Sequence, residues 1–176
     1  ENRRDEAGEP VDETEEDADS EESLTEEQLA EEDAPDLEAI RASVEEKLQG
    51  TDEFGEAWQI YVYRLKDGAR ASLGEGRLTA ASLIKLYIMG AVYSSYDNIA
   101  AANGQEQVDK LLNAMITVSD NDSANTLVGM LGNGDNAAGQ EAVNTYCKNN
   151  GYTDTSMGRM LLEKASVNEN YTSARD

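Results

Sequence analysis

The run Ala80-Ala81-Ser82-Leu83-Ile84-Lys85-Leu86-Tyr87-Ile88-Met89 constrains this chain more than any other stretch. It is apolar except for one hydroxyl and, three residues later, one amine. Leu83, Leu86, Tyr87 and Met89 to Gly90 recur near the helical period, which predicts a buried helix beginning near Ser82. A lysine inside such a helix is costly to bury unless its charge has a partner or a task. Residues i and i+3 share a helix face, so the Lys85 amine can reach the Ser82 hydroxyl. A serine at a helix N-terminus also lies where free N–H groups and the helix dipole stabilise a developing alkoxide. The chain contains no histidine, which excludes a Ser-His-Asp triad. Taken alone, the motif admits two readings: an amine-activated serine, or an N-cap serine followed by a snorkelling lysine.

Further along comes Val118-Ser119-Asp120-Asn121. Ser-x-x-Lys followed by Ser-Asp-Asn is the motif pair of class A β-lactamases and penicillin-binding proteins, and this chain resembles that family. Ala124-Asn125-Thr126-Leu127 looks like the family's next helix. Tyr171-Thr172-Ser173-Ala174-Arg175-Asp176 looks like the segment after its Ω-loop. The resemblance covers residues 37 to 176. It implies an α/β fold of the α+β kind, a helical cluster beside an antiparallel sheet. It also implies a serine acyl-enzyme hydrolase acting on β-lactams or D-Ala-D-Ala peptides.

By that resemblance Ser82 is the acylated nucleophile, and its N–H is half of an oxyanion hole. Lys85 is the base or proton relay. Ser119 passes a proton toward the leaving nitrogen. Asn121 binds the substrate amide and the Lys85 region. Asp120 reads as structural, fixing the loop through backbone N–H groups. The family's deacylating glutamate falls on Leu161 when Thr155-Ser156-Met157-Gly158-Arg159 is aligned. A leucine cannot take a proton. Glu163 and Glu169 can replace it only if the loop winds differently, and otherwise read as solvated loop acids. Asn170 reads as a residue that holds the loop together. Acylation without fast deacylation describes a penicillin-binding protein or a sensor. The other reading is a non-catalytic extracellular binding module that keeps the fold. Neither reading calls for a cofactor or a metal.

The third family motif, Lys-Thr-Gly or Lys-Ser-Gly, is not present. None of the six lysines (Lys47, Lys66, Lys85, Lys110, Lys148, Lys164) precedes Thr-Gly or Ser-Gly. That strand normally supplies a cation for the substrate carboxylate and the second oxyanion N–H, and one such donor is worth about 3 kcal/mol in the transition state. The resemblance therefore implies the N-terminal portion of a larger hydrolase. It also implies a second polypeptide carrying the C-terminal strands, one of which pairs with the open edge of the first strand. The chain opens on Glu1 without methionine, as a processed or shortened polypeptide does.

Charge divides the chain. Residues 1–36 hold 18 acids and two arginines, and residues 37–176 hold 19 acids and 12 bases, within a net charge of −23. Such a balance repels nucleic acid. Residues 1–35 have too little apolar content to offset their ordering entropy, and read as a disordered acidic tail, apart from a transient helix over 23–32. A solvated spacer is one reading, and a site for cations or a basic partner is the other. Residues 36–176 form the domain. No apolar run is long enough to span a membrane. The expected localisation, extracellular or cell-surface, comes from the resemblance, since peptidoglycan and β-lactams are met there. The lone Cys147 reads as a small buried hydrophobe.

In the domain, Asp36 predicts an N-cap, with Leu37, Ile40, Val44 and Leu48 as one helical stripe ended by Gly50. Residues 57–66 and 69–73 alternate as a hairpin around Asp67-Gly68, with Trp58, Tyr61 and Tyr63 as strand packing. Residues 94–104 read as irregular. Val108, Leu111, Leu112, Met115 and Ile116 predict the next helix. The Ser-Asp-Asn triplet then falls on a loop, and Ser123 caps a helix with Leu127, Val128, Met130 and Leu131 inward. Residues 132–135 read as a turn, 137–149 as a helix stopped by Gly151, and 158–170 as the Ω-loop.

Overall fold

Helix α1, Leu37–Leu48, begins where the Asp36 carboxylate accepts the N–H groups of Glu38 at 2.9 Å and Ala39 at 3.2 Å. This is seen in a computed structural model of the chain, which describes residues 36–49, 58–164 and 168–176. The expected acidic tail, its transient helix and Gly50 lie outside the described residues. On one flank of α1, Leu37, Ile40 and Val44 line a shallow apolar groove with Ile60, Val62 and Leu73.

Those last three residues belong to the hairpin. Strand β1, Ile60–Tyr63, runs antiparallel to β2, Arg70–Leu73, with Ile60 opposite Leu73 and Tyr63 opposite Arg70. The connection turns at Gly68, whose φ of +74° suits glycine. Arg64 clasps Asp67 at 2.6 Å across the turn and pushes that carboxyl down to about 2. The strands are shorter than the alternation suggests. Tyr61 is half-buried, whereas Trp58 and Tyr63 are exposed.

A second ribbon joins distant parts of the sequence. Strand β3, Leu78–Thr79, pairs antiparallel with β4, Tyr171–Thr172, placing Leu78 opposite Thr172. The next residue, Ala80, donates its N–H to the Asn170 carbonyl at 2.8 Å. The chain then enters a 3₁₀ turn, Ala81–Leu83, that continues into α2, Ile84–Ser94.

Four more helices follow: α3 Tyr96–Asn103, α4 Gln105–Thr117, α5 Asn121–Leu131 and α6 Asn136–Asn149. The core they share with α2 holds Ile84, Ile88, Val92, Val108, Leu127 and Val143 with no exposed surface. Cys147 joins that core, and burial pushes its thiol up to about 11. Helices α5 and α6 cross closely at Gly139, where a Cβ would lie 1.9 Å from the Val128 carbonyl oxygen.

Three local expectations are corrected. Residues 96–103 are helical, because Ile99 reaches the core and Tyr96 stacks on Tyr93. Asp120 caps α5, accepting the Ser123 N–H at 2.7 Å, and Ser123 is buried in the first turn. The inward face of α2 is Ile84, Tyr87, Ile88, Ala91 and Val92, whereas Leu83 and Leu86 are exposed. A helix apolar nearly all round gives little periodicity by which to choose its face.

Candidate active site

The 3₁₀ entry sets the serine at the head of α2 and the amine one turn deeper. Ser82 is exposed and Lys85 is only 3 % exposed. The residue before the serine, Ala81, has φ +46°, and Ser119 has φ +56°. Left-handed backbone at non-glycine residues costs on the order of 1–3 kcal/mol and persists only where its surroundings impose it.

Four oxygens surround the Lys85 amine. The Ser119 carbonyl and Asn121 Oδ1 each lie 2.7 Å from Nζ. Ser119 Oγ is at 2.9 Å and Ser82 Oγ at 3.1 Å. The two hydroxyls are themselves 3.1 Å apart. A lysine nitrogen has three positions for hydrogens or a lone pair. The carbonyl and the carboxamide oxygen can only accept, so two N–H groups go to them. The third position faces both hydroxyls. On an ammonium it holds a proton they share, and on a neutral amine it holds a lone pair that can take a hydroxyl proton.

Burial lowers the Lys85 amine from its ordinary range, while the negative charge of Asp120 works against that shift. Asp120 is itself held low, chiefly by its bonds to Ser123, with Lys85 adding to the effect. Asp120 thus caps a helix through the Ser123 N–H and also acts on Lys85 as a charge. Asn121 stands on the first turn of α5 rather than on the loop.

Glu163, Glu169 and Asn170 lie in a different set of contacts. Glu169 pairs with Arg159 at 2.8 Å, which holds its carboxyl below the usual range. The Glu163 carboxylate accepts the Met160 N–H at 3.2 Å. Neither carboxylate hydrogen-bonds Ser82, Lys85, Ser119 or Asn121 among the described residues. Asn170 is buried, and its Oδ1 accepts the N–H groups of Gly158 at 2.9 Å and Arg159 at 3.1 Å. Leu161, a residue of the loop itself, is buried.

Two asparagines with no assigned role complete the loop's attachment. Asn125 of α5 pairs with both backbone groups of Leu161, at 2.8 and 3.0 Å. Asn144 of α6 does the same for Met157, at 2.7 and 3.1 Å. The available signal was a carboxamide on the half-buried flank of an otherwise apolar helical stripe.

Around Ser82 the surface is open. A depression of about 450 Å³ is lined by Ala80, Ser82, Leu83, Leu86, Ile116 and Ser119, among others. Among the described residues no group of three or more His, Cys, Asp or Glu could hold a metal ion. No helix there is long and apolar enough to cross a membrane.

Comparison with known proteins bears on the fold and on the C-terminal part of the chain. Residues 99–176 match the model of the beta-lactamase enzyme family. The matched stretch holds the Ser-Asp-Asn triplet and the loop, and begins after Ser82 and Lys85. Among solved structures, the chain is similar to penicillin-binding protein D2 from Listeria monocytogenes in its ampicillin-bound form. The TM-score is 0.51 at 21 % identity, over 66 % of this chain and 56 % of that one. The chain thus spans little more than half the length of that relative. No curated protein matches. Together the two matches support the family its motif pair resembles, the β-lactamase-like and penicillin-binding serine hydrolases. The helix-rich body with small antiparallel sheets is a part of that fold.

Proposed function

We propose that Ser82 attacks the carbonyl of a β-lactam or a D-Ala-D-Ala peptide and becomes acylated, and that the acyl-enzyme is slow to hydrolyse. One observation carries this reading: a buried amine faces two hydroxyls with its one uncommitted position. In its neutral form Lys85 takes the Ser82 proton as the Oγ–carbonyl bond forms. Ser119, in contact with both, returns a proton to the departing nitrogen. The Ser82 N–H, at the head of a helical segment, faces the developing oxyanion. Slow hydrolysis is supported by Leu161 at the family's deacylating position and by Glu169 being committed to Arg159.

The proposal includes a second polypeptide segment that completes the site. Among the described residues β1 has a neighbour on one side only, and Leu83, Leu86, Ile116 and Val118 are exposed around the serine. A strand set against these would supply the second oxyanion donor and a cation for the substrate carboxylate. We further propose that the protein works outside the cytoplasm, since peptidoglycan and β-lactams are met there.

The test is intact mass after brief exposure of the whole protein to a penicillin, followed for hours alongside hydrolysed drug. A persistent adduct is expected. An adduct that decays while hydrolysed drug accumulates would identify a β-lactamase and overturn slow deacylation. No adduct on folded protein would overturn the enzyme reading in favour of a non-catalytic binding module.

A further inference from the structure

Behind the nucleophile lies a line of buried hydroxyls that the proposed reaction does not use. Tyr87, on the same helix as Lys85, meets Thr172 of β4 with 2.9 Å between the oxygens. Thr172 meets Thr155, also at 2.9 Å. The Thr155 hydroxyl reaches Asp176 Oδ2 at 2.9 Å, where the Asp154 N–H donates as well at 2.8 Å. Tyr87, Thr155 and Thr172 are 4–9 % exposed.

The order of donors follows from the last member. A carboxylate only accepts, so Thr155 donates to Asp176. Each hydroxyl has a single proton. Thr155 must then accept from Thr172, and Thr172 from Tyr87. The chain runs one way, from the phenol to the carboxylate, and bonds in such a series reinforce one another.

Its place in the fold gives it a purpose. The strained turn over residues 80–83 presents Ser82. Upstream of it, β3 is paired with β4. Downstream of it, Tyr87 is bonded to Thr172 of the same β4. One two-residue strand therefore grips both ends of the nucleophile turn. We propose that Tyr87, Thr172, Thr155 and Asp176 form a positioning network, a one-way hydroxyl chain anchored on Asp176 that clamps β4 to α2 and holds the Ser82 turn in its left-handed entry. The reference to the nucleophile rests on the proposed function; the network itself rests on geometry alone.

The direction makes an unusual demand. Tyr87→Phe removes the head donor and leaves every remaining hydroxyl proton with an acceptor. Thr172→Val cuts the middle and orphans the Tyr87 proton in a buried site. Thr172→Val is therefore expected to raise the unfolding equilibrium constant about tenfold or more. The double variant Tyr87→Phe/Thr172→Val is expected to be more stable than Thr172→Val alone, and Thr172→Ser is expected to stay within about twofold of the parent. A double variant less stable than Thr172→Val would overturn the one-way chain.

The positioning role is read at Ala80, two residues before Ser82. Its amide is expected to exchange about tenfold faster in Thr172→Val and to return to the parent rate in Thr172→Ser, with α4 amides unchanged. Ala80 exchange that does not move would overturn the clamp. In penicillin acylation the same variant is expected to lower the limiting rate about tenfold without changing the half-saturating concentration. A change confined to half-saturation would also overturn it. A parent protein that is not acylated at all would refute the proposed function, and Ala80 exchange would still decide the clamp.

Discussion

At the scale of the residue, the site turns on how many hydrogens Lys85 carries. Two of its three positions are committed to acceptor-only oxygens, so in the proposed reaction the third decides whether Ser82 keeps its proton. The acylation rate is therefore expected to rise with pH through a midpoint below the ordinary lysine value of about 10.4. Lys85→Arg keeps the charge but cannot lose its proton, and is expected to slow acylation by about 10²–10⁴-fold. Asp120→Asn separates two roles of one side chain. Asparagine caps a helix as well as aspartate does, but it removes the charge that raises the Lys85 amine. The pH midpoint of acylation is expected to fall in this variant while thermal unfolding changes little. A midpoint that rises would refute the electrostatic part of the account.

The Lys85–Ser82 contact was legible because helix geometry alone puts i and i+3 together. Ser119 and Asn121 were legible only through the resemblance, since no periodicity brings residues 34 and 36 positions away to one amine.

At the scale of the element, residues 157–161 of the loop are held by side chains, next to a backbone bridge between Ser156 and Tyr171. Asn125, Asn144 and Asn170 each satisfy two backbone groups of the loop. Asn170→Ala would strip the acceptor from two N–H groups at once, and is expected to destabilise by about 1–3 kcal/mol per group in urea unfolding. The Arg159–Glu169 pair adds a pH term. Because the folded-state Glu169 value is depressed, its contribution is complete above the ordinary glutamate value of about 4.3 and is lost as pH falls through the folded-state value. Amide protection of the loop is expected to follow that course, and to lose its acid dependence in Glu169→Gln. Helix α3 was not legible, because Tyr96-Asp97-Asn98 favours turns locally and only the burial of Ile99 and the stacking of Tyr96 on Tyr93 override that. The hairpin was legible because Asp-Gly is a strong local turn signal.

At the scale of the whole molecule, the helices α2 to α6 make one continuous core, and Cys147 lies inside it. Its thiol is buried and pushed up to about 11, so at neutral pH it is neither exposed nor ionised. A thiol reagent is therefore expected to label the folded protein only at the rate of unfolding. Rapid labelling of native protein would mean that the core opens locally around α6. That core supports Ser82 from beneath and leaves its outer side open. That open side is where the proposed second segment would sit.

The central claim is that Ser82, and not the neighbouring Ser119, is the nucleophile. Both hydroxyls touch the same amine, and only 3.1 Å separates them. The direct measurement is peptide mapping of the penicillin adduct by tandem mass spectrometry, on the parent and on Ser82→Ala. The account predicts an acyl group on Ser82 in the parent and none in the variant. An acyl group on Ser119, or one that survives Ser82→Ala, would contradict it.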